Sequence, residues 1–578
     1  MSGSSSKLAQ APAVPVATAA VLNGRHWTDQ RWFKRFLEIV PGTMTYSILI
    51  LPVVFSLTQP ILVAYFIIAY DLFWTIKSFR LSLNLIRGYR RLHQAQQVDW
   101  NNRLTWLKDP ETHLARVEAE LVEAAKHNPG LSGRVWWRTT PARKHYTGLE
   151  DDLRQLRLLV EQRRLIMDPD RLYHAVVLAT FNEGLDILEP SVKSLTEVDY
   201  PVKQIMLIIA FEERGGPETE ANAAYLIKTY GHHFAFATAV KHPVGLPGEV
   251  VGKGGNISFA GRQLTEEVRR MGVHPEQVVV TTFDSDHRAS KNYFSYLSYL
   301  YASDPNRVRK SFQPVPMFYN NIWDAPAPMR VIATGNTFWM LMETMRPHRL
   351  RNFAAHAQSL AALIATDYWA TDTIVEDGRQ YWRTYFTYDG DHNVVPIFTP
   401  IFQDAVLAET YPKTIRAQYK QLRRWAWGAS DFAYAVPKAI TNRRIPWSSK
   451  LVQMSRILEG HVSWATAPLI LTFVGYLPLY LNPRTGIDAL PHQLPIITSH
   501  IMPVASVGIF ITILISMISL PPRPARYKRR RSVWMVAQWV LLPFTSIAFG
   551  SLAAIESQTR LILGRYLDFY VTEKATKK

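Results

Sequence analysis

The chain has 578 residues, with 65 Lys+Arg against 47 Asp+Glu and a formal net charge of +18. That length holds several domains, and the basic excess asks for an anionic partner, either nucleic acid or lipid headgroups. No cysteine is present, which excludes disulfides, thiolate metal sites and a cysteine nucleophile together; any metal is then held by oxygen or imidazole, as suits Mg2+ or Mn2+.

Residues 1–25 are small, polar and proline-containing, with no compact apolar stretch behind a basic one. They predict a disordered tail and no cleaved signal peptide. Apolar runs follow at 44–57 and 60–76, and again at 462–481, 494–520 and 533–555. About 20 apolar residues cross about 30 Å of hydrocarbon, so the first pair predicts a hairpin within 26–78. The later runs predict membrane or interfacial helices within 436–560.

Basic residues orient these spans. Arg25, Arg31, Lys34 and Arg35 precede the first run, Arg80, Arg87, Arg90 and Arg91 follow the second, and PRPARYKRRR follows the fourth. The loop LNPRTGIDALPHQ is poor in them. By the positive-inside rule, 77–450 then faces the cytoplasm of a multi-pass protein of the plasma (inner) membrane. Because the basic residues cluster beside apolar runs, membrane lipid is favoured over nucleic acid. The fifth run is split by Pro543 and followed by Arg560, Arg565, Lys574, Lys577 and Lys578. A full crossing would strand those charges outside, so it reads as a re-entrant or interfacial segment, and four spans are expected.

Residues 79–172 are rich in charge and helix formers, as in HLARVEAELVEAAKH and LEDDLRQLRLLVEQRRL. They predict an amphipathic helical linker lying along the membrane or the next domain. From Tyr173 strands and helices alternate. HAVVLATF, QIMLIIAF, HFAFATAV and VVVTTF read as strands, with helices over 187–195, 219–230 and about 256–271. This pattern predicts a mostly parallel sheet within 173–435. Ligands of open α/β sheets bind at the carboxyl ends of strands. Thr180, Asn182 and Glu183 follow the first strand, Glu212 and Glu213 the second, and Asp284 and Asp286 the fourth.

In FDSDH two carboxylates stand one residue apart, which persists only if something positive offsets them. A divalent ion that also takes a substrate diphosphate would do so; a helix cap or a surface turn is the alternative. VVGKGGNISFAGR reads as a glycine-rich loop carrying Lys253 ahead of a helix, where backbone donors and one cation suit a phosphate, or else as a simple turn. It has neither Walker A nor GxGxxG spacing, so a P-loop or dinucleotide fold is not supported. TDTIVEDGRQYWR begins with a helical pattern and places Glu376 and Asp377 at a bend, where a carboxylate can serve as general base or be an ordinary helix-surface acid. YKQLRRWAWG sets Gln421, Arg424 and Trp425 on one side of a predicted helix. An indole suits a sugar ring and a guanidinium a phosphate, and the same residues suit an interfacial anchor.

In their order, VLATFNEG, FDSDH, IVEDGR and QLRRW resemble the membrane-integrated family 2 glycosyltransferases: cellulose, chitin and hyaluronan synthases and their relatives. FYVTEK near the C-terminus is similar to the FxVTxK gating loop of bacterial cellulose synthase. The resemblance covers about 173–428, the flanking spans and the tail 561–578. It implies a GT-A (Rossmann-like) α/β catalytic domain, cytoplasmic and inserted between α-helical transmembrane segments. It further implies Mg2+ or Mn2+ and transfer from a nucleotide sugar, UDP-sugar favoured, to a glycan or lipid acceptor. Carried over, Thr180 and Glu183 contact the nucleoside, together with the acidic pair Glu212 and Glu213. Asp284 binds the diphosphate and Asp286 the metal. Asp377 is the base, with Glu376 beside it toward the acceptor, and Gln421, Arg424 and Trp425 hold the leaving diphosphate and acceptor sugar. Thr572 and Lys574 come from the gate.

Two motifs depart from the family pattern. Glu212 and Glu213 stand where aspartates are usual, which affects the choice of nucleotide, and Val375 replaces the threonine usual before Glu376. Two rival readings stay open. One is a transferase that adds a single sugar to a lipid or polyprenyl phosphate; the other is a non-catalytic membrane scaffold or transporter.

Overall fold

The computed structural model describes residues 27–127, 141–482 and 489–572. The predicted tail 1–25 and the gate residue Lys574 lie outside the described residues. Helix α1 (Arg31–Thr58) turns at Gln59 into α2 (Pro60–Gln97), with Pro60 at the first helical position, where its missing N–H costs nothing. The hairpin is as expected, but α2 does not stop at the predicted boundary near 78. It runs on to Gln97, 38 residues in all, and packs along the α/β domain. The next helices are α3 (Trp100–Lys108), α4 (Pro110–His127) and α5 (Pro141–Glu161). α4 and α5 pair, with Arg157 bridging Glu118 at 3.0 Å. Trp100 stacks on Tyr296 at 3.7 Å between ring centres, so the linker is docked on the α/β domain.

That domain alternates β1 (Tyr173–Thr180), α6 (Leu185–Thr196), β2 (Ile205–Glu212), α7 (Gly216–Tyr230), β3 (Phe236–His242), α8 (Lys253–Arg270) and β4 (Val278–Asp284). It continues through β5 (Arg288–Ala289), α9 (Tyr293–Ser303), β6 (Lys310–Met317), α10 (Ala327–Thr344), β7 (Ala357–Ser359) and α11 (Leu360–Ala365). It closes with α12 (Glu376–Thr387), β8 (Asn393–Phe402), α13 (Tyr411–Ala426) and α14 (Asp431–Thr441). The eight-stranded sheet has the order β3-β2-β1-β4-β7-β6-β8-β5. β3, β2, β1 and β4 are parallel, as are β6 and β8, while β7 and β5 pair antiparallel, so the sheet is mixed. Alternation along β1 supplies both faces: Val176 and Leu178 enter one core cluster, Ala175 and Val177 the other.

Two boundaries differ from expectation. β3 starts at Phe236, because Gly231–His233 forms a 3-10 turn first. Lys253 lies inside α8 as its first residue, not in a loop. The glycines that suggested a loop serve close packing instead: a Cβ on Gly254 would lie 2.2 Å from the carbonyl oxygen of Ala370.

Beyond the domain come α15 (Trp447–Phe473), α16 (Leu477–Leu481), α17 (Ala489–Ser519), α18 (Arg530–Ala537), α19 (Leu542–Thr545) and α20 (Leu552–Leu563). Among the described residues, four helical stretches are long and apolar enough to cross a membrane: Arg31–Thr58, Pro60–Gln97, Trp447–Leu481 and Arg530–Leu563. α17, 31 residues long, packs along α2. The stretch Arg530–Leu563, expected to be interfacial, has the length and composition for a span, and it packs both on the α/β domain and on α1 and α15, where Thr45 and Tyr46 of α1 meet Gln558 and Thr559. At its start Arg531 donates to the carbonyl of Trp323; Met535, Phe549 and Ala553 join the cluster of Phe318, Trp323 and Leu422; at its end Arg423 and Arg560 share Glu556. Its other face exposes Val533, Trp534, Val540 and Phe544. A six-residue π-helical stretch, Ser546–Ser551, precedes α20.

Candidate active site

The site forms where β1, β2 and β4 end, beneath the first turns of α8 and α12. At the end of β1, Thr180 and the Phe181 N–H both donate to Glu183, at 2.7 and 2.9 Å, and Ser285 donates to its other oxygen at 3.0 Å. Asn256 on α8 donates to the carbonyls of Ala210 and Thr180, which fastens the two strand ends together. At the end of β2, Glu212 is buried and its carboxylate is paired with Arg214, whose guanidinium lies 4.5 Å from the Phe181 ring. Burial raises the Glu212 pKa, and Arg214 opposes the shift. Glu213 turns away and accepts the Val244 N–H.

The β4 end carries the acidic pair. Asp286 is buried, and its Oδ2 accepts the Asp404 N–H at 2.8 Å. His287 takes the Asp284 N–H on Nδ1 and so donates from Nε2 to Gln403 at 2.7 Å, fixing the turn. Asp284 is the more exposed of the two and points at Lys253, whose Nζ is 2.7 Å from Asp284 Oδ1, 3.6 Å from Asp377 Oδ1 and 4.0 Å from Glu376 Oε1. Burial alone would lower the lysine's pKa. The charges of Asp284, Asp377 and Glu376 outweigh it and hold the ammonium above the ordinary lysine range.

Glu376 and Asp377 open α12, so the helical pattern follows them instead of leading into them. Glu376 is buried, and its pKa is pushed up, first by burial and then by Asp377, against Lys253 and Arg424. Glu376 Oε2, Asp377 Oδ1 and Arg424 Nε are buried with no hydrogen-bond partner among the described residues. Arg424 lies beside the Ile374 carbonyl at 3.5 Å, with its guanidinium 5.1 Å from the Phe569 ring. Phe569 in turn packs over Gly252, where a Cβ would lie 3.2 Å from its ring. The C-terminal FYVT stretch is therefore at the mouth of the site, with Thr572 half-buried. Gln421 accepts from Gln418 at 3.0 Å, and Trp425 is partly buried against the cluster that holds Leu422 and Phe549.

Sequence reasoning missed Asn256 and Ser285, which stand inside VVGKGGNISFAGR and FDSDH beside the residues that drew notice, and His356 and Asp404, which no motif marks. Among the described residues no cluster of three or more His, Asp or Glu side chains forms a ready metal cage. Two adjacent carboxylates at one strand end nevertheless fit a hard divalent cation that takes its remaining ligands from water and a diphosphate.

No protein-family model and no curated protein matches the chain. Among solved structures it is similar to a mannosyltransferase of Pyrobaculum calidifontis in complex with GDP-Man and Mn2+, at 13% identity and a TM-score of 0.39, covering 78% of this chain and 100% of that one. It is also similar to S. aureus TarS 1–349, at 11% identity and a TM-score of 0.34 for the complex with UDP-GlcNAc, covering 68% of this chain and 93% of that one.

Proposed function

We propose that the protein is an inverting, metal-dependent membrane glycosyltransferase that moves a sugar from a nucleotide sugar to a growing polysaccharide. The observation that carries this is the meeting of Asp284, Glu376 and Asp377 around Lys253, with Asp286 behind and Arg424 and Phe569 above. Such a cluster supplies anchors for a cation and a diphosphate on one side and a carboxylate for an acceptor hydroxyl on the other.

Asp284 and Asp286 would hold Mg2+ or Mn2+, which neutralises charge on a departing diphosphate. Lys253 and Arg424 add fixed positive charge for the same phosphates, in a site that excludes water and so strengthens their effect. Glu183 acts by holding the β1 and β4 ends in register, and the buried Glu212–Arg214 pair faces the nucleoside. Asp377 takes the proton of the acceptor hydroxyl as it attacks the anomeric carbon. Attack and departure in line invert that carbon. The spans beside the domain support an acceptor chain that enters the membrane as it grows, with the domain on the cytoplasmic side.

A lipid-linked acceptor is the second reading. It is favoured by an apolar groove of about 590 Å³ between Tyr411, Ile415 and Tyr419 on α13 and Phe549, with Arg416 at its lip. The test is release of nucleoside diphosphate by the purified chain with Mn2+ or Mg2+ across UDP- and GDP-sugars, with Asp377→Asn alongside. Release from one donor, lost in the variant, supports the transferase, and product sizing separates polymer from single-sugar lipid. Nucleotide-independent behaviour of both proteins would instead favour a scaffold.

A further inference from the structure

His356 is buried at the end of a loop that no motif marks. Its ring is fixed from both sides. The Trp369 indole, which can only donate, gives its N–H to His356 Nε2 at 3.1 Å. The ring proton therefore sits on Nδ1, which donates to the Phe353 carbonyl at 2.9 Å. Nδ1 also faces Asp377 Oδ1 at 3.5 Å, the same buried oxygen that lies 3.6 Å from Lys253 and has no hydrogen-bond partner among the described residues. The His356 carbonyl accepts the Thr282 N–H, two residues before Asp284, so the ring is registered to the strand that carries the acidic pair.

The backbone holds this arrangement under strain. Four non-glycine residues have positive φ among those described; Ala355 (64°) stands directly before His356, and Asp367 (54°) and Tyr368 (57°) directly before Trp369. L-residues adopt that region reluctantly, and such outliers gather at functional sites. Both partners of the imidazole pair are thus presented by strained turns.

We infer that His356, oriented by Trp369, is a positioning residue for Asp377: the Nδ1–H edge of its ring, anchored on the Phe353 carbonyl, faces Oδ1 at 3.5 Å and favours a carboxylate turned so that Oδ2 meets the acceptor. The inference rests on the glycosyltransferase reading above. In the step, the acceptor O–H gives its proton to Oδ2, its oxygen bonds to the anomeric carbon, and the carbon–oxygen bond to the diphosphate breaks with the electron pair leaving on the diphosphate. His356 keeps its proton throughout. Burial lowers its pKa, opposed by Asp377, so it stays neutral; the other charged groups facing it are Lys253 and Asp284.

The test uses the full chain in lipid nanodiscs and two readouts. Carbodiimide labelling of Asp377 against pH, read by peptide mass spectrometry, needs no turnover. Release of nucleoside diphosphate from UDP- and GDP-sugars with Mn2+ gives the pH profile of kcat. Removing a polarised N–H edge that faces a carboxylate disfavours its charged form, so His356→Ala moves both the labelling midpoint and the acid limb of kcat to higher pH. It lowers kcat about 10- to 100-fold, with KM for the donor changed less than about 2-fold. His356→Asn, whose amide N–H can stand in for Nδ1–H, restores both. Trp369→Phe, which keeps an aromatic ring and loses only the tautomer-fixing N–H, shifts both in the same direction by less. An unmoved midpoint in folded His356→Ala, or in Trp369→Phe should the alanine variant not fold, overturns the inference. Silence with every donor counts against the transferase reading alone, because the labelling shift still reports the contact.

Discussion

At the ends of β1 and β2 the carboxylate of Glu183 takes three donors and that of Glu212 is held by Arg214, whereas Glu376 Oε2 and Asp377 Oδ1 at the start of α12 and Arg424 Nε on α13 stay buried with no hydrogen-bond partner among the described residues. Each unsatisfied buried group costs about 1–3 kcal/mol. A fold tolerates several together only where another contribution offsets them, and a bound ligand is the natural one. The first half of the site is a finished scaffold; the second is held ready for groups that arrive with the substrates.

The sharpest way to break that contrast is Asp377→Asn. It should lower turnover by about 10² to 10⁴, the range for losing a general base, while nucleotide affinity, measured by calorimetry, stays near wild type. Next in size is the support of α12. Arg379 and Asp431 form a buried pair at 2.6 Å between α12 and α14. Arg379→Met leaves the Asp431 charge without its partner and should cost about 3–5 kcal/mol in denaturant unfolding; adding Asp431→Asn should recover most of it.

A gentler probe is Glu376→Gln. The folded-state pKa of Glu376 is raised by burial and Asp377, so in the folded protein its ionised form is disfavoured relative to the unfolded chain. That penalty is absent below the unfolded pKa and grows as pH rises above it. The variant should therefore melt higher than wild type at pH 8, with the difference closing near pH 4. The finished half should respond least: Thr180→Val and Ser285→Ala each remove one donor of three from Glu183, and each should cost about 1 kcal/mol. If either abolished turnover without loss of stability, the division between scaffold and reacting half would be wrong.

Much of the finished half was legible beforehand. β1, β2 and β4 are runs rich in apolar and β-branched residues buried on both faces, and a run of that kind announces a central parallel strand. Asp284 and Asp286 were visible because two acids after such a run demand an explanation. The reacting half was legible only as short motifs. That Glu376 and Asp377 begin a helix depends on Thr371–Val375 being pulled out of the helix by packing, as when the Thr371 carbonyl accepts the Val250 N–H. His356, amid alanines in FAAHAQS, carries no local signal; it matters through Trp369 and Asp377, residues brought to it only by the tertiary fold. The stretch Arg530–Leu563 shows the same limit from the other side: its composition allows a crossing, and only the fold shows that it joins the domain, at Trp323, Leu422 and Arg423, to α1 at Thr45 and Tyr46.

Helix α2 has a mechanical meaning. At 1.5 Å per residue its 38 residues form a rod of about 57 Å. Gly88 lets it approach α10 so closely that a Cβ would lie 2.7 Å from the Leu341 carbonyl, and Arg91 sits over the Phe398 ring. In the proposed membrane transferase this rod would act as a mast, setting a constant height between hydrocarbon and site and denying the domain a hinge at that point. On that reading, motion during turnover would fall to the stretch past the left-handed turn at Gly564, where Phe569 packs over Gly252. With the domain held at one height, the proposed chain extension would require the acceptor to advance.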